Sequence, residues 1–265
     1  MQKNLSDVMS SIREIKPDYL IDLHGNLRSG FLKLKLGIKS YTIPKLRFKR
    51  WRMVQTHKRE TLPHINERYF SALEKLDVHY DGQGLEYFFP TGAKVLREIA
   101  GIILPDDYDA WVIGATHFTK RLPEEKIVEG IKLRRRRVIL LGGRAETSAG
   151  QRIASACRDL VINLCGETNF SETAAVIEKA GVVFTNDTGF MHIAAALKKK
   201  IVCFWGGTVP ELGMTPLLPH DVPPAIIIEN NLAGCRPCSK IGKASCPLGH
   251  FACMKEIDMH QIKEC

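Results

Sequence analysis

The chain has 265 residues, a formal net charge of +9 and 45% apolar residues, a composition typical of a globular protein with a sizeable core. No apolar run approaches the ~18 residues of a membrane span, and the first ten residues lack the apolar core of a signal peptide, so we expect a cytosolic protein. The basic excess favours anionic partners without choosing among a nucleotide, a phosphorylated glycolipid, a membrane surface and a nucleic acid.

The N-terminal segment predicts a helix, a strand and a polar turn. A helical pattern of apolar residues runs through positions 1–17, and Tyr19–Leu23 has the composition of a short strand. Asp22, His24 and Arg28 surround the end of this strand, which makes them candidates for a ligand cleft, and Arg28 suits a phosphate or a sugar acid. An equally weighted alternative is that Asp22 and Arg28 only fix the loop.

A basic stretch follows at Lys39–Glu60, where eight Lys or Arg side chains stand against one acid. Aromatic side chains lie among them, so the stretch suits contact with an anionic membrane. Binding to nucleic acid and a plain solvated face are the alternatives. Further along, Ile65–Leu76 has the spacing of an amphipathic helix, and residues 89–109 are interpreted as a connection between domains.

The second half of the chain alternates short apolar runs with helical patterns. Strands are predicted at residues 110–114, 138–141, 161–164, 182–185 and 201–205, and helices are predicted from Pro123 and over Ser171–Lys179. This alternation is the signature of a parallel sheet covered by helices on both faces. Arg134–Arg137 is interpreted as a solvated helix end at the sheet edge opposite the ligand.

The stretch Ala180–Thr208 reads as one β-α-β unit. Its first strand ends at Asn186-Asp187, and its helix opens with Asp187 or Thr188 as the N-cap. Such a helix start offers free N–H groups and a positive dipole end to a phosphate, at the edge where open α/β sheets bind ligands. Gly189 removes a Cβ at this point, and His192, one turn on, shares a face with Thr188. The alternative is that Asp187 and Thr188 are only caps.

Eight cysteines in a chain without an export signal argue against a disulfide framework. Four of them lie close together near the C-terminus, and four thiolates can coordinate a tetrahedral structural zinc ion. These residues are Cys235, Cys238, Cys246 and Cys253. The second pair lacks the Cys-x2-Cys spacing of the first, so free thiols and a redox-dependent pair stay open. The last segment, Lys255–Glu264, predicts a short helix.

The run FTNDTGFMHIAAAL followed by FWGGT resembles the nucleotide-sugar signature of the bacterial lipopolysaccharide heptosyltransferase family, glycosyltransferase family nine. Other segments are similar to that family in the same order. They are Gly114-Ala115-Thr116 with Thr119-Lys120-Arg121, Leu140-Leu141-Gly142-Gly143 with Glu146, Asn163-Leu164-Cys165-Gly166, and the acceptor-side stretch IDLHGNLRSG. The resemblance runs from about Asp18 to the C-terminus. It departs from the family at Phe190, where proline is usual, and at Leu122, where tryptophan is common.

The resemblance implies an α/β fold with two Rossmann-like domains facing a cleft, the GT-B arrangement, of which the N-terminal domain is incomplete. We therefore expect an acceptor-side domain and linker at 1–105, a nucleotide-sugar domain at 106–230, and a cysteine-rich tail with a C-terminal helix at 231–265. In the family, a first strand-loop-helix unit supplies an aspartate thought to act as the general base. That unit has no counterpart in this sequence, and Asp22 and His24 are the substitutes that the sequence offers.

The implied activity is inverting transfer of a heptose or related sugar from an ADP-heptose-like donor to a lipopolysaccharide-core or other lipid-linked glycan, with no cofactor required for catalysis. The resemblance assigns seven residues to the donor: Thr116, Lys120, Glu146, Asp187, Thr188, Gly189 and His192. Lys120 would meet the diphosphate and Glu146 the ribose hydroxyls, although an acid that complements a helix dipole is the alternative role of Glu146. His24 and Arg28 would bind the acceptor.

Two other functions stay open. The chain is either an enzyme or, as the first alternative, a catalytically impaired fragment that keeps its affinity for nucleotide sugars. The second alternative, based on the positive net charge and the clustered cysteines, is a zinc-stabilised nucleic-acid-binding protein. We expect no nucleic-acid partner, and we expect a cytoplasmic protein with peripheral contact to an anionic inner membrane.

Overall fold

The computed structural model describes residues 4–90, 98–263 and 265. The chain forms two compact units. One contains Met1–Lys49 and Leu62–Asp81, and the other contains Arg50–Thr61 and Gly82–Cys265. These units differ from the expected boundaries at 105 and 230, because the cysteine-rich tail belongs to the second unit and a short piece of the basic stretch joins it. The expected interdomain connection at 89–109 lies partly outside the described residues.

The first unit contains a short parallel strand pair and surrounding helices. In chain order its elements are α1 (Leu5–Ile15), β1 (Leu20–Asp22), α2 (Leu27–Leu36), β2 (Ser40–Thr42), the first turn of α3 (Arg47–Thr56) and α4 (Ile65–Ser71). Strand β1 pairs in parallel with β2. The helix predicted at 1–17 is confirmed, whereas the one predicted over 65–76 ends at Ser71 and continues only as a 3-10 turn, Glu74–Leu76.

The second unit is organised around a six-stranded parallel sheet. A hairpin of β3 (Glu98–Ile99) and β4 (Ile102–Ile103) precedes it, and its strands are β5 (Asp109–Val112), β6 (Val138–Leu141), β7 (Val161–Asn163), β8 (Val182–Asn186), β9 (Lys200–Trp205) and β10 (Ile226–Glu229). Their order is β10-β9-β8-β5-β6-β7. The chain therefore moves outward from β5 on one side and returns beside β5 with β8. In doubly wound sheets, the carboxyl edge at such a reversal is where ligands bind.

Helices cover both faces of this sheet, as the alternating pattern predicts. They are α5 (Glu124–Arg134), α6 (Thr147–Cys157), α7 (Phe170–Lys179) and α8 (Gly189–Ala196). Because side chains alternate along a strand, each face has its own core. One core joins Trp111 and Phe184 to α5 and α6, with the two rings stacked at 4.6 Å between centroids, and the other joins Val112 to α7 and α8.

Arg134 overturns part of the interpretation given to the run Arg134–Arg137. Its guanidinium donates from Nε and Nη2 to Asp109 Oδ2, at 3.1 and 2.8 Å, and its side chain is 6% exposed. It also lies over the Phe184 ring, 5.2 Å from the centroid. Arg134 is therefore a buried partner of the first residue of β5, at the amino edge of the sheet, and not a solvated helix end.

The C-terminal prediction was also wrong in position. The helix is α9 (Ala252–Lys255), which starts before the expected segment, and only a 3-10 turn, Met259–Ile262, follows it. Met254 and Met259 are fully buried in the core that contains Trp111. The tail thus closes one face of the sheet, while Glu264 lies outside the described residues.

Candidate functional site

Asn186 joins the ends of the two strands that meet at the reversal of the sheet. Its Nδ2 donates to the carbonyl of Ile113, which follows β5, at 3.1 Å. Its Oδ1 accepts the N–H of Leu122 at 3.1 Å. The side chain is 1% exposed, so these bonds take the place of the hydrogen bonds to water that the amide gives up when it is buried. The loop between β5 and α5 is therefore held against the end of β8.

This loop brings Lys120 to Asp187, the residue directly after β8. Lys120 Nζ lies 2.7 Å from Asp187 Oδ2, with side-chain exposures of 16% and 7%. The hydroxyl of Thr208, which follows β9, donates to the same carboxylate oxygen at 2.8 Å. Segments that follow three neighbouring strands thus converge on one carboxylate. Asp187 is not the N-cap; its carboxylate fixes a partly accessible ammonium group at the carboxyl edge of the sheet.

Thr188 is the N-cap of α8, with an extended backbone, and its side chain makes no capping hydrogen bond. Its Oγ1 is buried and has no hydrogen-bond partner, which is uncommon for a buried hydroxyl. Gly189 opens the helix, and a Cβ added there would meet no atom within 4 Å. Protein packing therefore does not require glycine at this position, and the helix start has room for a ligand.

A cavity of about 370 Å³ lies in front of this helix start. Four of the seven donor residues predicted from the family line it, namely Thr116, Glu146, Thr188 and Gly189, whereas Lys120, Asp187 and His192 do not. Its remaining lining residues are Val112, Gly114, Ala115, Arg121, Gly142, Gly143, Phe170 and Phe190. The volume is in the range of small-molecule sites. His192 is half-buried and does not line this cavity.

Glu146 forms one wall of the cavity. Its Oε2 accepts the N–H of Gly143 at 3.0 Å, and its Oε1 lies 3.4 Å from Arg121 Nη2. Arg121 in turn donates from Nε to the carbonyl of Ala115 at 2.8 Å. The Glu146 side chain is 12% exposed, so its carboxylate holds the turn after β6 while one edge still faces the cavity.

Thr208, Asn186 and Phe170 are residues of this region to which the sequence analysis assigned no role, and Phe190 was noted only as a departure from the family. Thr208 ends the glycine turn after β9. Its place at the carboxyl edge of the sheet is the feature of the sequence that could have marked it as a site residue. A Cβ at Gly206 would lie 2.5 Å from the carbonyl oxygen of Thr119, so the glycine pair lets this turn approach the Lys120 loop. Phe170 carried a weaker signal, as an apolar residue directly after the helix cap Asn169.

Arg236 stabilises the glycine turn that follows β9. Its guanidinium donates to the carbonyl of Trp205 at 3.1 Å and to that of Thr208 at 2.9 Å, and it pairs with Glu229 at 2.7 Å. Burial lowers the pKa of Arg236, although the carboxylate of Glu229 favours its charge. A guanidinium with this many buried partners fixes the backbone geometry on which Thr208 depends.

The four clustered cysteines line a second cavity, of about 250 Å³, together with His57 and His250. All four are free thiols. Burial raises the pKa of Cys253 to about 12, although the nearby Arg236 opposes the shift. Within the described part of the chain, no group of three or more His, Cys, Asp or Glu side chains is placed to hold a metal ion.

In the first unit, the Asp22 carboxylate accepts several hydrogen bonds and forms an ion pair. Its carboxylate accepts the N–H groups of His24 and Gly25 at 2.9 and 2.7 Å and the Ser29 hydroxyl at 2.9 Å, and Lys33 Nζ lies 2.8 Å away. Burial opposes ionisation of this group, but the Lys33 ammonium and the three hydrogen bonds outweigh it and hold the pKa of Asp22 well below its usual range. A carboxylate this stabilised is a weak base.

These contacts favour the loop-fixing role of Asp22. His24 and Arg28 are exposed on the same loop and on the first turn of α2. The basic stretch forms α3, where Phe48 and Trp51 are 68% and 49% exposed. None of the helices among the described residues is long and apolar enough to cross a membrane.

A cavity at an open helix start, a partly accessible lysine held by the residue before that helix and a doubly wound sheet are the parts of a nucleotide-binding site. The sequence profile of "Glycosyltransferase family 9 (heptosyltransferase)" matches residues 6–245. The chain belongs to glycosyltransferase family 9.

Among curated proteins, lipooligosaccharide heptosyltransferase 2 of Haemophilus influenzae is 33% identical over 130 residues, which is 48% of this chain and 35% of that protein. Lipopolysaccharide heptosyltransferase 2 of Escherichia coli is 35% identical over 91 residues, 31% of this chain and 24% of that protein. The matched region is thus about a third or less of the length of these relatives.

Solved structures show the same fold. The structure described as E. coli ADP-heptose LPS heptosyltransferase II superposes with a TM-score of 0.65 at 23% identity, over 87% of this chain and 74% of that one. A family 9 glycosyltransferase from Veillonella parvula gives 0.66 at 21% identity, over 84% and 66%.

Proposed function

We propose that the chain binds a nucleoside-diphosphate sugar and transfers its sugar to an acceptor hydroxyl with inversion. The observation that carries this proposal is the Lys120–Asp187 pair at the carboxyl edge of the sheet, beside the unpartnered Thr188 hydroxyl and the open start of α8. In this reading the diphosphate lies at the helix start, where free N–H groups, the dipole and Lys120 favour negative charge.

The reaction follows from that placement. The acceptor oxygen forms a bond to the anomeric carbon, the bond from that carbon to the diphosphate breaks, and its electron pair goes to the phosphate oxygen. The acceptor proton goes to a base. Lys120, the Thr188 hydroxyl and the helix N–H groups would stabilise the charge that develops on the leaving diphosphate. Asp187 would hold the Lys120 ammonium in position, because the two groups are only 2.7 Å apart.

The donor and acceptor are inferred from the relatives. The curated proteins are named as lipopolysaccharide or lipooligosaccharide heptosyltransferases, and one solved structure is described with ADP-heptose. We therefore propose an ADP-heptose-like donor and a lipopolysaccharide-core acceptor, with peripheral contact of α3 to an anionic membrane. The base is not assigned, because the low pKa of Asp22 makes it unsuited to the task.

A binding experiment tests the donor site. We expect ADP to raise the melting temperature of the protein, and we expect Asp187→Ala to lose most of this shift because Lys120 is then no longer held. The matched control is Asp221→Ala, which removes an exposed acid of the same unit. Stabilisation by ADP that survives Asp187→Ala would contradict the placement of the diphosphate. Stabilisation by nucleic acid alone would favour the nucleic-acid alternative instead.

A transfer experiment separates an enzyme from a passive binder. Purified protein, ADP-heptose and a core acceptor lacking the terminal heptose should release ADP and lengthen the acceptor, as measured by mass spectrometry. Binding of ADP without release of ADP in the presence of acceptor would favour the alternative that the chain keeps donor affinity without turnover.

The structural zinc predicted from the cysteines stays a prediction. The four thiols line one cavity, but in the described residues they do not form a preassembled metal group, so metal binding would require their side chains to converge. Elemental analysis of the purified protein tests it. One zinc ion per chain, lost in Cys246→Ser, would support the prediction, and a metal-free protein with full stability would exclude it.

A further inference from the structure

Arg59 bridges two acidic side chains at the carboxyl ends of the neighbouring strands β9 and β10. Its Nη1 donates to Glu229 Oε1 at 2.8 Å and to Glu211 Oε1 at 3.4 Å. Glu229 is the last residue of β10, and Glu211 lies on a 3-10 turn, Pro210–Leu212, that follows β9. Arg59 belongs to the part of the basic stretch, Arg50–Thr61, that joins the second unit. The reaction proposed above gives it no task.

The charges of this bridge are largely withdrawn from water. The Arg59 and Glu211 side chains are each 25% exposed, and that of Glu229 is 14% exposed. Burial opposes the charge on Arg59, but Glu229 and then Glu211 outweigh it and raise the pKa of Arg59. Ions that are partly buried are screened less by salt than surface ions. If Arg59 is removed, its two acids therefore keep charges that the solvent compensates only in part.

The contacts continue from Glu229 towards the donor site. The second oxygen of its carboxylate, Oε2, lies 2.7 Å from Arg236 Nη2. Arg236 is 2% exposed and donates to the carbonyl of Thr208 at 2.9 Å, and the Thr208 hydroxyl donates to Asp187. Arg59 is therefore linked through two side chains to the turn that contacts the Asp187 carboxylate.

The four side chains of this network balance in charge, because two are guanidinium groups and two are carboxylates. Without Arg59, one negative charge is in excess, and Glu211 loses the cation with which it pairs in the described part of the chain. Glu211 lies three positions after Thr208, which corresponds to at most about 10 Å of chain. This reach is comparable to the Debye length of about 8 Å at physiological ionic strength. An excess negative charge there would therefore repel an anion bound beside the turn.

We propose that Arg59 is a positioning residue of the donor site, which neutralises Glu211 and Glu229 and thereby holds the turn at Thr208 in a form that accepts a nucleoside diphosphate. This inference rests on the proposed donor site. Arg59 does not line the donor cavity, so it acts through the two acids. The affinity for the diphosphate then depends on the charge balance of the network.

Calorimetric titration of the whole chain with ADP tests the proposal. Arg59→Gln should weaken ADP binding roughly threefold to tenfold, and the difference from the wild type should shrink at high salt. Adding Glu211→Gln to that variant removes the excess charge and should restore most of the affinity. A purely structural arginine would show neither the salt dependence nor the rescue. Glu211→Gln alone should bind ADP at least as tightly as the wild type.

The matched control is Arg52→Gln. It makes the same change in net charge, but it removes an arginine of the same segment that is 53% exposed and pairs with the exposed Glu60. We expect its affinity for ADP to equal that of the wild type, because the charge it removes belongs to another ion pair.

The outcomes separate this inference from the donor site. Equal ADP affinity in Arg59→Gln and the wild type would overturn the positioning role and leave the donor site standing. A loss that Glu211→Gln does not restore and that is the same at low and high salt would also overturn it. Weaker ADP binding in Glu211→Gln alone would do so as well, even where Arg59→Gln fails to fold. A wild type that does not bind ADP would overturn the donor site and the positioning role together.

Discussion

Thr119 and Lys243 are joined by three hydrogen bonds although 124 positions separate them in the sequence. The Lys243 N–H donates to Thr119 Oγ1 at 2.8 Å, the hydroxyl donates to the Lys243 carbonyl at 3.3 Å, and the Thr119 N–H donates to the same carbonyl at 3.1 Å. Thr119 also accepts the N–H of Gly207 at 2.8 Å. The cysteine-rich segment therefore supports the residues next to Lys120 and Thr208, both of which contact Asp187.

Replacing the Thr119 hydroxyl should weaken this support. Thr119→Val keeps the shape of the side chain but leaves the N–H of Lys243 without its acceptor, in a place where Thr119 is 1% exposed. We expect a loss of about 1–2 kcal/mol in the free energy of unfolding and weaker binding of ADP, measured by denaturant titration and calorimetry. Thr119→Ser keeps the hydroxyl and serves as the control. Equal stability of Thr119→Val and the wild type would show that the two bonds of the Thr119 hydroxyl contribute nothing net.

The Lys120–Asp187 pair can be tested by a double-mutant cycle. Asp187→Asn leaves a largely buried ammonium without its counter-charge, so we expect a loss of about 3 kcal/mol, at the lower end for a broken buried pair because Lys120 keeps 16% of its exposure. Lys120→Met should cost a similar amount, because it leaves the Asp187 carboxylate, 7% exposed, with the Thr208 hydroxyl but without its counter-charge. The double variant should recover part of the loss, giving a coupling energy of roughly 2 kcal/mol. Additive effects within about 0.5 kcal/mol would mean that the two groups act independently.

Much of the nucleotide-binding half could be predicted from local pattern. Short apolar runs such as Val138–Leu141 are bounded by polar turns, and a parallel strand buried on both faces leaves that signature. Strand β10 (Ile226–Glu229) was missed, because prolines before it suggest a loop. Pairing with β9, which lies outside any local window, is what makes this segment a strand.

The contacts of the site were harder to predict than its location. The sequence predicts that the turn after β8 holds an anion, with Asp187 or Thr188 as the cap and both as donor residues. It does not predict the contacts of Asp187, because its partners Lys120 and Thr208 follow other strands. The burial of Arg134 was missed for the same reason, since Asp109 lies 25 positions away. A run of basic residues indicates a solvent-exposed surface only when no acidic residue from elsewhere in the sequence pairs with one of them in the fold.

Alkaline pH should destabilise the fold through a buried thiol. Burial, and then the nearby Glu146 carboxylate, raise the pKa of Cys165 from 9.0 to about 12. The folded state therefore keeps a proton that the unfolded state releases above pH 9. Because the unfolded state then binds fewer protons, the free energy of unfolding falls as pH rises from about 9 to 12, by up to ~1.4 kcal/mol per pH unit.

Cys165→Ala should reduce this alkaline slope, although it lowers stability at pH 7 by leaving a small cavity. The measurement is denaturant unfolding at several pH values from 7 to 11. Cys235→Ala, at a partly exposed cysteine of the same unit, is the control for general effects of removing a thiol. If the slope of Cys165→Ala equals that of the wild type, the raised pKa of Cys165 does not govern the alkaline response.

Two glycines in helices allow a matched test of core packing. A Cβ at Gly130 of α5 would lie 2.6 Å from Trp111 Cη2 and 2.7 Å from Met259 Cε, whereas a Cβ at Gly30 of α2 would meet nothing within 4 Å. Alanine is the better helix former by about 1 kcal/mol at either site. We therefore expect Gly30→Ala to be neutral or stabilising. Gly130→Ala should instead lose about 1–3 kcal/mol, because the overpacked core must shift by more than the helix gains. Thermal unfolding of both variants measures the difference, and a stabilised Gly130→Ala would mean that the C-terminal turn carrying Met259 is free to move away from α5.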